Sequence, residues 1–176
     1  MTDAAPTQRI VMLQTLGNAA ARLAAELEAL GADVAEQPAA PGEWSARETV
    51  THLAASEPHF LARLQRITAE DNPFLPYFGP DVARPDSGQP LPAALSDFGA
   101  GRERLLAFLS GLPPEAWDRP AVHETLGATT LALQVQNIIN HDLEHLVQLH
   151  QLPLSPPFPL REGGPGGLGL PTDTDA

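Results

Sequence analysis

Apolar residues recur every three or four positions in long stretches of this chain, and proline or glycine breaks each stretch. That spacing turns one side of a helix toward a core and leaves the other side in water. It restricts the chain to helices packed on helices. Ile10, Leu13, Leu16, Leu23, Leu27 and Leu30 set a first helix over about Thr7 to Leu30, stopped by Gly31. Leu95, Phe98, Arg102, Leu105, Leu106 and Leu109 set a third over about Ala93 to Ser110, ended by Gly111. Leu131, Val135, Ile138, Ile139, Leu143, Leu146 and Leu149 set a fourth over about Thr130 to Gln151, ended by Pro153. The apolar content is mostly Ala and Leu, which favours helix over strand.

The second helix is announced by its start. Ser45 and Glu48 have the spacing of a capping box, in which each side chain satisfies a backbone N–H of the first turn. Trp44 stands where an apolar staple belongs. The helix is expected over Ala46 to Ala69, kinked at Pro58, whose missing N–H leaves the Ala54 carbonyl unbonded. Ala32 to Glu43 reads as a loop. Between Asp71 and Pro92 lie six prolines, which predict a long crossover loop rather than a tight turn. Leu112 to Ala128, with Trp117 and His123, reads as a second loop. The pattern predicts an all-α four-helix bundle over residues 1–152, with a Gly/Pro-rich tail over 153–176.

The chain carries 22 acidic residues against 10 arginines and no lysine, a net charge of -12. Such a surface repels phosphate backbones and anionic membranes, so nucleic acid and membrane are not expected partners. No apolar stretch approaches the ~18 residues of a membrane span, and the first residues lack the pattern of a secretory leader. A cytoplasmic location is expected. Without cysteine there is no disulfide and no thiol nucleophile, and a transition-metal site must be built from His, Asp or Glu.

His141 and His145 are four residues apart on the fourth helix, which puts both imidazoles on one face, one turn apart. Such a pair can share a metal ion but needs a third ligand from another element. His52, on the second helix between Val50 and Leu53, is the best candidate; His59 and His123 compete with it. His150 points away from the pair. Gln148 shares the face of the pair and could hydrogen-bond a metal-bound water or a substrate. Glu48, one turn before His52, could orient it or act as a general base, although capping alone explains it. Asp142 and Glu144 read as solvated carboxylates.

Taken together these residues resemble the DinB/YfiT family of small metal-binding four-helix proteins. Trp44-Ser45-Ala46-Arg47-Glu48 followed by His52-Leu53 is similar to the start of that family's second helix, and Glu57, Phe60 and Arg63 continue it. Phe98 with Arg102 resembles its third-helix signature. Trp117 and His123 through Gly127 resemble the segment before its last helix. His141-Asp142-Leu143-Glu144-His145-Leu146-Val147-Gln148-Leu149 resembles its last-helix motif. The resemblance implies an up-down-down-up bundle, often a homodimer, with a divalent metal, zinc or nickel, on His52, His141 and His145.

Three imidazoles with an open coordination position belong to catalytic rather than structural sites. The open position can take a water, which gives a hydrolase, or a low-molecular-weight thiol, which gives an S-transferase. Family resemblance puts thiol transfer first, with bacillithiol, mycothiol or glutathione as cosubstrate. Hydrolysis of a small molecule comes second and a non-catalytic, stress-related binding role third. Glu48 and Gln148 are the candidate catalytic residues.

Overall fold

A computed structural model describes residues 4–30, 32–38, 40–79 and 88–150. Four long helices dominate: α1 (Ala4–Ala29), α3 (Ala46–Ala69), α4 (Leu91–Ser110) and α5 (Leu131–His150), with a single-turn α2 (Ala32–Ala35) after the first. α3 packs on α4 and α5, and α1 packs on the same two, so α1 and α3 stand diagonally across an all-α four-helix bundle. No helix among the described residues is long and apolar enough to cross a membrane.

The predicted start of α3 is built as expected. The Ser45 hydroxyl accepts from the Glu48 N–H at 3.2 Å, and the Glu48 carboxylate accepts from the Ser45 N–H at 2.9 Å. The helix runs through Pro58, whose side chain is exposed. The tail expected over 153–176 lies outside the described residues, as do Pro80 and Pro85 of the crossover loop.

Both segments read as plain loops carry structure. The stretch after α1 holds α2 and a bridge from Pro38 to Ser45. The stretch after α4 forms a 3-10 turn (Pro114–Asp118), then a hairpin of β2 (Pro120–His123) and β3 (Gly127–Thr130). Gly127, where the chain enters β3, takes φ 72°, a left-handed conformation that glycine adopts without steric cost. β1 (Phe74–Leu75), from the crossover loop, adds in parallel to β2. Strands of two to four residues are too short to leave a periodic signal, which is why the loop reading missed them.

Arg119 fastens the hairpin to the bundle by donating to the Ile67 and Glu70 carbonyls at 2.7 and 2.6 Å, the open end of α3. Arg63 and Arg66 donate to the Pro76 and Phe74 carbonyls at 2.7 and 3.1 Å, and the Tyr77 N–H donates to Glu124 at 2.7 Å. The crossover loop is thereby held against α3 and the hairpin.

The core is divided. Met12, Leu16, Leu64, Ile67, Leu105, Leu109, Val135 and Ile139 belong to one apolar cluster, and Leu23, Leu27, Val50, Leu53, Phe98, Leu146 and Leu149 to another. Between them lies a buried polar layer. The Arg102 guanidinium meets Glu57 of α3 at 2.6 Å and Asp142 of α5 at 2.6 Å, and also donates to the Leu16 carbonyl of α1 at 3.1 Å. One side chain thus touches all four long helices. Burial alone would lower the Arg102 pKa, but the two carboxylates outweigh it and raise it. Burial raises Glu57 and Asp142 against the pull of the guanidinium. Gly101 makes room for this layer: a Cβ there would lie 2.6 Å from Cβ of Glu57.

Candidate metal centre

α3 and α5 bring three imidazoles together. Nε2 of His141 lies 3.1 Å from Nε2 of His52 and 3.2 Å from Nε2 of His145. A tetrahedral ion held about 2.0–2.1 Å from each nitrogen needs its ligand atoms about 3.3 Å apart, so this spacing fits the ion. One ligand atom from each of the three residues lies within 4.8 Å of the others.

Metal ligation needs neutral rings with the proton on the other nitrogen. Burial, assisted by the neighbouring rings of His145 and His52, pulls the His141 pKa down to about 3. Burial likewise brings His145 to about 4, against the hydrogen bond from Gln148 that raises it. Nδ1 of His145 donates to the Gln148 amide oxygen at 2.7 Å, which leaves Nε2 with its lone pair toward the other two rings. Nδ1 of His141 is buried without a hydrogen-bond partner among the described residues.

The trio forms part of the wall of a cavity of about 570 Å³. Trp44 lies against His52 with ring centroids 4.7 Å apart and stacks on His145 at 6.2 Å, while Phe60 presents its ring to His141 at 5.3 Å. Tyr77, Phe78 and Gly79 of the crossover loop form another part of the wall.

The sequence-derived candidates separate clearly on this framework. His52, His141 and His145 converge. His123 reaches the same cavity, but its Nδ1 accepts the Thr125 N–H at 3.2 Å. His59 packs on Phe78 instead, centroids 5.2 Å apart. His150 is exposed and pairs with Glu26 at 2.9 Å. Gln148 lines the cavity but its amide oxygen is engaged by His145, and the Glu48 carboxylate is engaged by its own helix cap. Glu144 is exposed, as expected, and lines the cavity.

Asp142 corrects the reading of a solvated carboxylate: its relative exposure is 0 % and it binds Arg102. The signal was present. Asp142 is spaced by four from Ile138 and Leu146 and by seven from Val135 and Leu149, on the buried stripe of α5. Arg102 stands similarly between Phe98, Leu105 and Leu109. Charged residues on two apolar stripes point to a buried ion pair. Trp44, read as a helix staple, also packs on His52 and His145. The crossover loop's part in the cavity left no local signal.

The description of the DinB superfamily matches residues 15–149. A protein of Oceanobacillus iheyensis named as a candidate metal-dependent hydrolase is 26% identical over 110 residues, covering 61% of this chain and 64% of that relative's length. The structure of YfiT from Bacillus subtilis, described as a probable metal-dependent hydrolase with an unusual four-helix bundle topology, superposes with a TM-score of 0.71 at 20% identity. That superposition covers 87% of this chain and 88% of YfiT, and the likeness establishes the fold. Matched along most of its length, the chain belongs to the DinB superfamily.

Proposed function

We propose that the protein is a metal-dependent hydrolase of a small molecule, with His52, His141 and His145 holding a divalent ion of the zinc or nickel type. The observation that carries this reading is the convergence of three Nε2 atoms, 3.1 and 3.2 Å apart, on the wall of an open cavity. Imidazole donors suit zinc and nickel alike. Three protein ligands leave a position for a reactant, whereas a structural ion normally has four. When bound, the ion supplies Lewis acidity and lowers the pKa of what occupies that position.

The chain's own residues do the rest. Burial keeps His141 and His145 unprotonated and ready to ligate. Gln148 fixes the His145 tautomer and is a positioning residue. Trp44 and Phe60 shield the ligand rings from water. Glu144, the carboxylate among the described lining residues, is the group we assign to take up the proton released by the attacking nucleophile. The names given to the two relatives support hydrolysis. Thiol transfer, placed first by the family resemblance, becomes the second reading. Arg63 on the cavity wall favours an anionic thiol, but it is the one arginine among the described lining residues, and this ranks thiol transfer below hydrolysis. The homodimer implied by the family draws support from exposed Leu143 and Val147 on α5.

The test is metal analysis of the purified chain, then a panel of esters, amides and lactones run with and without bacillithiol, mycothiol and glutathione. Turnover that needs metal but no thiol is expected, falling at least ~100-fold in His141→Ala. Thiol-dependent turnover would reverse the order of the two readings. A chain that takes up no divalent ion would overturn both.

A further inference from the structure

Arg63 stands apart from the other described arginines by lining the metal cavity, although Arg9, Arg104 and Arg119 likewise have no carboxylate partner among the described residues. Arg22, Arg47, Arg66 and Arg102 each pair with a carboxylate. Arg63 is half-buried on the cavity wall and, among the described residues, has no carboxylate within ion-pair distance. It donates to the Pro76 carbonyl at 2.7 Å and lies over the Phe78 ring at 4.5 Å. Burial lowers its pKa, but a guanidinium stays charged at neutral pH. It has five N–H donors, and one bond to a carbonyl leaves most of them unspent.

His123 stands at the same end. Its Nδ1 accepts the Thr125 N–H at 3.2 Å, so the neutral ring carries its proton on Nε2 and offers a second donor. Burial and the charge of Arg63 both hold this ring neutral, against the charge of Glu124, whose carboxylate is itself engaged by the Tyr77 N–H. Two aromatic rings join this end to the metal centre. Phe78, under Arg63, meets Phe60 with centroids 5.5 Å apart, and Phe60 meets His141 at 5.3 Å.

From this arrangement we propose that Arg63 and His123 form an anion-recognising pole, and that the substrate is a small carboxylic acid whose carboxylate docks there. Its apolar middle lies along Phe78 and Phe60, and its labile bond reaches the three histidines. A half-buried cation with no carboxylate partner among the described residues is incompletely solvated, and a carboxylate that takes a bidentate bond from it offsets that loss. A net charge of -12 disfavours anions in general, so selectivity for one must be local. This inference rests on the proposed function only for the end of the substrate that reaches the metal.

The experiment titrates the full chain, as purified and after chelation, with benzoate and its neutral isostere benzamide, followed by NMR of the histidine and tryptophan rings. Benzoate is expected to bind about tenfold more tightly than benzamide in both samples. Arg63→Met should abolish that preference, and Arg63→Lys, which keeps the charge but loses the planar fork, should weaken it about threefold. If Arg63→Met does not fold, Arg63→Lys and His123→Gln carry the test through the same ratio. Equal affinities, a ratio untouched by these substitutions, or no binding of either probe overturns the pole. Metal content is measured on the same samples. A chain that takes up no zinc yet prefers benzoate through Arg63 overturns the hydrolase reading and leaves this one standing.

Discussion

At the scale of single residues, the site depends on imidazoles kept neutral by burial. Unfolded, His141 and His145 titrate near 6.5; folded, they titrate at about 3 and about 4. Both folded values are depressed, so between them and 6.5 the unfolded chain binds more protons than the folded one. The stability these two rings contribute is therefore complete above pH 6.5 and is lost as pH falls toward 4 and 3. Glu57 and Asp142, raised by burial, act with the opposite sign. Melting temperatures of the chelated protein between pH 4 and 7 should thus fall toward acid more steeply in the native chain than in a His141→Gln/His145→Gln variant. Parallel slopes in the two proteins would show that these rings are not held neutral by the fold.

At the scale of elements, the contact between α3 and α4 depends on a missing side chain. Gly101 faces Glu57 so closely that a Cβ would come within 2.6 Å of Glu57 Cβ and 2.8 Å of its Cγ. Those methylenes carry a carboxylate held by Arg102, so they have little freedom to move aside. Gly101→Ala should raise intrinsic helix propensity yet destabilise the protein by about 1–3 kcal/mol through overpacking. Gly99, two positions away with nothing within 4 Å of its built Cβ, is the control: Gly99→Ala should stabilise by a few tenths to about 1 kcal/mol. Denaturant midpoints of the two variants should move in opposite directions. Equal shifts would mean that the two helices can separate without penalty.

At the scale of the whole molecule, one cross-link between the helices is seen and a second is proposed. The first is Arg102, which meets α1, α3 and α5 from α4 within a layer between the two apolar clusters. Arg102→Met leaves two buried carboxylates without a counter-charge and should cost about 3–5 kcal/mol by chemical denaturation. The triple replacement of Arg102, Glu57 and Asp142 by apolar residues of similar volume should recover most of that loss, because no ion is then left unpaired. The second is the metal, which would tie α3 to α5 across 89 residues of sequence. A bound ion stabilises the folded chain by mass action. A chelator should therefore lower the melting temperature of the native chain, and His145→Ala should abolish that response. An unchanged melting curve after proven metal removal would exclude such a tie.

Much of this protein was legible in one dimension because helices write their own period. The Leu and Ile stripes gave four helices, α3 starts and ends where its capping box and apolar pattern put it, and the i,i+4 pair on α5 announced a shared face. His52 could be named a partner of that pair, but only packing brings residues 89 positions apart to 3.1 Å. Asp142 and Arg102 show the same division. Their spacing puts both on buried stripes, a signal that the reading of Asp142 as solvated passes over, while which charge each would meet depended on how α3, α4 and α5 were arranged. The small sheet had no sequence period to read, because strands of two to four residues are held by neighbours far along the chain. Local spacing fixed the helices and their faces, since a helix closes its hydrogen bonds within four residues. The cavity, with its three imidazoles and Arg63, was decided by tertiary structure, because its walls come from helices, hairpin and crossover loop that meet only in the folded chain.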